Sequence, residues 1–405
     1  MLRPQYPKSV ATAMALLENA GHSAYLVGGA LRDALLGREA HDFDVTTSAL
    51  PKDMTRIFAD YPVIETGLKH GTLTVLIDGM PIEITTFRID GEYRDARHPE
   101  GVTFTDRVEG DLARRDFTVN AMAYNETRGL VDEFGGKEDL AAGIIRAVGD
   151  PCARFSEDAL RILRAFRFMS KLGFRIEENT LAATRVCREG LSRISAERIT
   201  AELCGLFEGK SAATALAAMK DCGIFGAIAP DFKVPADAIG QIGALPAVFE
   251  VRFAYFLRNS ADGGESLSRH LRLSGASLSR VRGLLGLRNF DLSSLTEEHV
   301  RRLLAAAGRY ADDLDAMMSV GGFFDVADAD RDAVLAMMAQ IRARGDCLTL
   351  DGLAVDGRAL MTLGLRGRDI GTTLTALLDR VLAEPSLNQR ERLLSMAEEI
   401  GNGKL

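Results

Sequence analysis

One short region limits what this chain can fold into more than any other. Tyr25-Leu-Val-Gly-Gly-Ala-Leu-Arg-Asp-Ala-Leu-Leu-Gly37 is followed closely by Asp42-Phe-Asp44-Val-Thr-Thr47. The pattern predicts a buried strand, a Gly-Gly turn, a short helix and a second strand carrying two carboxylates two residues apart. In a strand, residues i and i+2 point to one face, so Asp42 and Asp44 project together while Phe43 packs behind them. Two such carboxylates repel each other and do not both stay ionised without a cation. Hard divalent metals such as Mg2+ take carboxylate oxygens, with phosphate oxygens completing the shell. Gly28 and Gly29 let the backbone approach an anion with N–H groups free to face it. Arg32, one helical turn further, is placed to reach the same anion. A lone Gly-Gly is usually a loop and a lone Asp-x-Asp a solvated turn. At this spacing, with an arginine between them, they predict phosphoryl or nucleotidyl transfer.

The rest of the chain frames that motif. Its 405 residues are enough for two or more domains with substantial cores. Hydrophobic residues make up 47%, with no long apolar run, which predicts a soluble globular protein without membrane spans. Pro4 and Pro7 interrupt the stretch where a signal peptide needs an apolar core. Cys152, Cys187, Cys204, Cys222 and Cys347 show no metal-ligand spacing, so a reduced, cytoplasmic protein without zinc is expected. Net charge is −8, which disfavours non-specific nucleic-acid binding but leaves room for a local basic surface. Between Ser266 and Phe290 lie His270, Arg269, Arg272, Arg280, Arg282 and Arg288 with no acidic residue. That stretch is either a solvated helix face pairing with acids elsewhere, or a phosphate-backbone contact for RNA.

Residues 1–20 read as an amphipathic helix. Short β-rich runs then appear at Tyr25–Val27, Phe43–Thr46, Thr72–Ile77, Ile82–Phe87 and Val102–Thr105, with Asp78-Gly79 as a hairpin turn signal. After Gly149-Asp150-Pro151 helical periodicity dominates to the end, broken by glycine or proline. The fold class expected is α+β: a small head with a mixed or antiparallel sheet, then an elongated, all-helical remainder.

Two further segments bear on chemistry. Glu83 lies in Ile82-Glu-Ile84, an acid between two buried-looking residues on a strand. Across Glu157–Phe168, helical spacing puts Leu160, Ile162, Leu163 and Phe166, with Met169 beyond, on one half, and Asp158, Arg161, Arg164 and Arg167 on the other. A carboxylate beside a guanidinium suits the edge of a nucleobase, and the two later arginines suit a triphosphate. The alternative is an intrahelical ion pair with solvated arginines.

These stretches, with Glu83-Ile-Thr-Thr-Phe-Arg88, Arg114-Arg-Asp-Phe-Thr-Val-Asn-Ala121 and Glu157-Asp-Ala-Leu-Arg161-Ile-Leu-Arg164-Ala-Phe-Arg167-Phe168, resemble the class II CCA-adding tRNA nucleotidyltransferases and the related bacterial poly(A) polymerases. The resemblance is dense from about Gly21 to Phe174. It implies a nucleotidyltransferase head over 1–150, a nucleotide-recognition neck over 151–210, an RNA-binding body over 211–345 and a tRNA-binding tail over 346–405. It makes Asp42, Asp44 and Glu83 the catalytic acids, with Asp42 and Asp44 holding Mg2+. It makes Asp158 and Arg161 a protein template for C and then A, gives Arg164 and Arg167 the phosphates, and gives Arg115, Asp116 and Asn120 the ribose. The last three suit equally a capping and ion-pair role at a strand-to-helix junction. Arg88–Asp106, with Arg94, Arg97 and His98, reads as a mobile loop, which in the family is needed for the final A. Leu191–Leu203 resembles the motif that buttresses the nucleotide-binding helix, so Glu197, Arg198 and Glu202 are expected to be structural. The activity implied is addition of the 3′-terminal CCA to tRNA from CTP and ATP. Poly(A) addition is the alternative within the class, and a catalytically inactive RNA-binding scaffold the alternative outside it. The short acidic C-terminus favours CCA addition. So does Asp356–Leu365, which resembles the tail of bacterial CCA-adding enzymes, although Arg366-Gly367 departs from the common Pro-Gly.

Overall fold

The computed structural model describes residues 4–40, 42–65, 67–68, 71–91, 102–292 and 295–401. Helix α1 (Lys8–Asn19) buries Val10, Ala13, Met14 and Leu17, the i, i+3, i+4, i+7 stripe of a helix lying on a core. Strand β1 (Ala24–Val27) is buried throughout, and α2 (Gly28–Leu35) begins directly at Gly28, so the expected Gly-Gly turn is the first turn of the helix. Then come β2 (Phe43–Thr47), α3 (Pro51–Ile57), β3 (Val63–Ile64), β4 (Thr72–Ile77) and β5 (Met80–Thr86). Asp78 and Gly79 join β4 to β5 with φ of 51° and 77°, both left-handed, as a two-residue type I′ hairpin demands. Along β5, Ile82, Ile84 and Thr86 are buried while Glu83 points to the exposed side.

Strands β6 (Arg88–Asp90) and β7 (Val102–Phe104) pair with each other. The segment between them, residues 92–101, lies outside the described residues, and with it Arg94, Arg97 and His98 of the expected mobile loop. Helix α4 (Val108–Ala113), β8 (Ala123–Asn125), β9 (Gly129–Val131), α5 (Gly136–Ala142) and β10 (Ile144–Ile145) follow. Among the described residues the head sheet has seven strands in the order β3-β4-β5-β2-β1-β8-β9. It is mixed: β2 and β5 run parallel while the other neighbours are antiparallel. The parallel register sets Asp44 beside Glu83.

Helices α6 (Pro151–Glu157) and α7 (Leu160–Leu172), β11 (Arg175–Ile176), α8 (Glu178–Cys187), α9 (Ala196–Phe207), α10 (Ala212–Asp221) and α11 (Ile224–Ile228) continue the chain. The single periodic run expected across Glu157–Phe168 is interrupted: Asp158 is extended, with φ −145° and ψ 102°, and α7 starts after it. Two compact units form, Met1–Lys233 with Arg269–Arg272, and Val234–Ser268 with Leu273–Leu405. The second unit is helical. One of its cores gathers Val355, Leu360, Leu377, Val381 and Leu393, and Phe249 stacks on Phe253 at 5.0 Å. No helix among the described residues is long and apolar enough to cross a membrane.

Candidate active site

Gly28 opens α2 at φ +70°, and a Cβ there would lie 3.3 Å from Asp44 Oδ2 and 3.3 Å from Arg115 Nη1. Both the backbone and the space therefore require glycine. Asp44, half-buried on β2, has its carboxyl pushed up to about 6, by burial first, then by Glu83 and Asp42, with Arg115 pulling the other way. Asp42 sits just ahead of β2 with an exposed side chain, and Glu83 is exposed on β5. Burial is the larger cause, and the Glu83 and Asp42 contributions are the repulsion expected of carboxylates gathered to hold a cation. Among the described residues no three His, Cys, Asp or Glu side chains form a ready metal cage. Two carboxylates such as Asp42 and Asp44 could hold a hard divalent cation only if other oxygens completed its shell.

The Arg114–Asn120 segment is a dense polar junction. Asp111, buried within α4, accepts from Arg114 Nε and Nη2 at 2.9 and 2.7 Å and from Arg115 Nη2 at 3.2 Å. Burial alone would raise its carboxyl, yet Arg115 and Arg114 hold it below the usual carboxylate range. Arg115 Nε is buried without a hydrogen-bond partner among the described residues. Asp116 accepts from Phe117 N–H at 2.8 Å, Asn120 Nδ2 at 3.1 Å and Arg164 Nε at 2.7 Å. Burial opposes ionisation here too, but the Arg164 charge and the hydrogen bonds from Asn120 and Arg164 bring its carboxyl down to about 2. Arg32 donates to Asn120 Oδ1 at 2.7 Å and clasps Asp33 with two 2.9 Å bonds. Its guanidinium also lies beside Gly29, whose added Cβ would sit 3.6 Å from Nη2.

Around α7 the pairing differs from a simple helical wheel. Because the helix breaks at Asp158, Arg161 meets it only through the backbone, N–H to carbonyl at 3.0 Å among the described residues, and its guanidinium bonds elsewhere. Arg161 donates to Glu157 Oε2 at 2.6 Å and to the carbonyls of Arg154 and Arg114 at 3.1 and 2.9 Å. Asp158 is gripped by Arg198 of α9, through Nη1 to Oδ1 at 3.3 Å and Nη2 to Oδ2 at 2.6 Å. Glu202, one turn along α9, accepts from Arg167 Nε at 2.5 Å and lies 3.6 Å from Arg164 Nη1. Arg32, Arg164 and Arg167 place their guanidinium carbons 5.2, 5.3 and 4.6 Å from the centre of the Phe168 ring. The aromatic face holds three cations together.

Two adjoining cavities result. One, of about 370 Å³, is lined by Asp44, Glu83, Arg115, Asp116, Asp158, Arg161, Arg164 and Arg198 among others. The second, of about 720 Å³, takes in Gly28, Gly29, Arg32, Asp42, Asn120, Arg167, Lys171 and Lys210. Asp44, Arg115, Asp116 and Arg164 line both. Each residue expected to act as a catalytic acid or to bind the nucleotide thus lines one or both cavities. Arg198, Lys171, Lys210 and the Phe168 platform had escaped notice as site residues. The four-residue spacing of Arg198 and Glu202 on one helix, opposite in sign to Asp158 and the α7 arginines, was the available signal for the first.

The basic stretch divides. Arg280 is tied to Asp313 by bonds of 2.8 and 2.6 Å, the internal pairing foreseen as one of its two readings. Arg272 is exposed and lies 3.8 Å from Glu197. Arg269, Arg282 and Arg288 are exposed.

Residues 24–146 match the family model described as the poly A polymerase head domain, and residues 173–234 the one described as the probable RNA and SrmB-binding site of polymerase A. The chain is 36% identical over 391 residues to a CCA-adding enzyme of Lactobacillus helveticus, covering 95% of each. It is 47% identical over 209 residues to a CCA-adding enzyme of a Geobacillus species, covering 52% of this chain and 51% of that one. In structure it is similar to the Bacillus stearothermophilus CCA-adding enzyme in complex with CTP, with a TM-score of 0.78 and 30% identity over 99% of each chain. The fold is also that of a Thermotoga maritima CCA-adding enzyme complexed with tRNA, at a TM-score of 0.72 and 21% identity, over 98% of this chain and 97% of that one.

Proposed function

This chain belongs to the CCA-adding enzyme family, and from that premise we propose how its residues do the work. It is a tRNA nucleotidyltransferase that builds the 3′-terminal CCA from CTP and ATP without a nucleic-acid template, releasing pyrophosphate. The observation that carries the assignment of roles is the shared wall of the two cavities: Asp44 with its raised carboxyl stands beside Arg115, Asp116 and Arg164.

In this reading Asp42 and Asp44 hold Mg2+, with Glu83 as the third acid. Bound there, one Mg2+ would lower the pKa of the attacking 3′-hydroxyl and a second would neutralise charge on the triphosphate and departing pyrophosphate. The residues do the rest by position and charge. Gly28 and Gly29 admit the phosphates close to the backbone. Arg164 and Arg167, braced by Asp116 and Glu202 and seated on Phe168, supply positive charge along them. Arg115, Asp116 and Asn120 hold the ribose. Asp158 accepts a hydrogen bond from the base. Arg161, anchored through Nη1 and Nη2 to Glu157 and to two carbonyls, presents its remaining N–H groups to the base beside Asp158. Five free thiols suit a reducing compartment, and the cytoplasm is the location we assign.

The experiment is a ladder assay with tRNA lacking its 3′ end. CTP alone should add two residues, ATP alone essentially none, and both together three residues and then a stop. Long A ladders on an unstructured RNA, with little product on tRNA, would move the reading to poly(A) polymerase. No incorporation under any condition would leave an RNA-binding scaffold.

A further inference from the structure

Arg198 and Glu202 stand one turn apart on α9 and meet the α7 region with charges opposite to its own. Glu202 takes the arginines at the phosphate end, and Arg198 takes Asp158 at the base end. Asp158 stands in extended backbone between two helices, so no helical hydrogen-bond frame fixes its carboxylate. Leu160 N–H, at 3.1 Å, and the two prongs of Arg198 hold it. Both side chains line the cavity that also holds Asp44 and Glu83. A guanidinium gripping both oxygens fixes the plane of a carboxylate, which a lysine ammonium does not. A carboxylate only accepts hydrogen bonds. Cytosine N4 and adenine N6 are amines that donate, whereas the corresponding oxygens of uracil and guanine accept.

We propose that Arg198 is a positioning residue that sets base specificity. It locks the Asp158 carboxylate as an acceptor-only edge facing the incoming base, so that bases with an exocyclic amine are taken and those with a carbonyl there are refused. This rests on Asp158 reading the base. A purely structural Arg198 would instead lower stability and rate alike for every nucleotide.

The test compares kcat/KM for CTP with UTP on tRNA lacking CCA, and for ATP with GTP on tRNA ending in CC. It uses the full chain as wild type, Arg198→Met, Arg198→Lys, Asp158→Asn and the Arg198→Met/Asp158→Asn double variant, each with its Tm. Arg198→Met should cut both discriminations by about tenfold, within the range a good base contact supplies. Arg198→Lys should recover part of that loss. In the Asp158→Asn background, Arg198→Met should change discrimination no further. Arg198→Gln, keeping part of the stem and one donor group, carries the comparison if the methionine variant is too unstable to assay. Unchanged discrimination in the Arg198 variants, alongside a loss in Asp158→Asn, overturns the role of Arg198 alone. Unchanged discrimination in Asp158→Asn overturns the reading of Asp158 and this inference with it.

Discussion

Replacing Gly28 by alanine separates the backbone demand of the nucleotide loop from its spatial demand. At φ +70° an alanine gives up about 1–2 kcal/mol relative to glycine. Its Cβ would also press on Asp44 Oδ2 and Arg115 Nη1 at 3.3 Å, tighter than ordinary van der Waals contact, so both groups must give by a few tenths of an ångström. Misplacing reacting groups by about 1 Å costs on the order of a hundredfold in rate, so a shift of this size predicts about a tenfold loss of kcat. Gly21 is the control: its φ is +89° and nothing lies within 4 Å of an added Cβ. Gly21→Ala should lower unfolding free energy by the same 1–2 kcal/mol, by urea titration, and leave incorporation unchanged. Gly29→Ala, with only ordinary contacts to Arg32 at 3.6 and 3.9 Å, should fall between the two in rate and lose little stability. Equal activity losses in the Gly21 and Gly28 variants, or full activity in Gly28→Ala, would refute the claim that Gly28 is kept bare for the sake of Asp44 and Arg115.

Asp44→Asn should raise the Tm of the metal-free protein near pH 8 and change it little near pH 4. The Asp44 carboxyl sits at about 6 in the fold, above an ordinary aspartate, so the folded state holds its proton longer and loses stability as pH rises from about 4 to about 6. Mg2+ should raise the Tm of the wild type and leave that of this variant unchanged. Arg164→Ala should raise the KM for both nucleotides and also destabilise the fold by about 1–3 kcal/mol, because half-buried Asp116 loses its Arg164 partner and keeps only Phe117 N–H and Asn120. Asp116→Asn in the same chain should recover part of that stability in urea titration. Arg282→Gln and Arg288→Gln should reduce the salt dependence of tRNA binding in filter assays, whereas Arg280→Gln, losing Asp313, should act chiefly on stability.

Much of the head was legible because its signals are local. Thr72–Ile77 and the run from Ile82 alternate in the period of half-buried strands, and Asp78-Gly79 takes the turn it advertises. Strands β3, β8 and β9 have two or three residues each, too short for any period to show. Asp158 marks the limit for the site. Its neighbours continue a helical pattern, but its carboxylate bonds Leu160 N–H and an arginine 40 residues away, and that tertiary pair overrides the local preference. The partner of Arg280 is likewise 33 residues distant in a different helix, so the sequence left its two readings open.

In the proposed mechanism one set of carboxylates around Asp44 serves both the C and the A steps. Single-turnover rates in Asp44→Ala decide it most directly, measured for C addition to tRNA lacking CCA and for A addition to tRNA ending in CC. Both rates should collapse together, to background, in a protein whose urea unfolding shows it to be folded. Survival of either addition at near wild-type rate would contradict it.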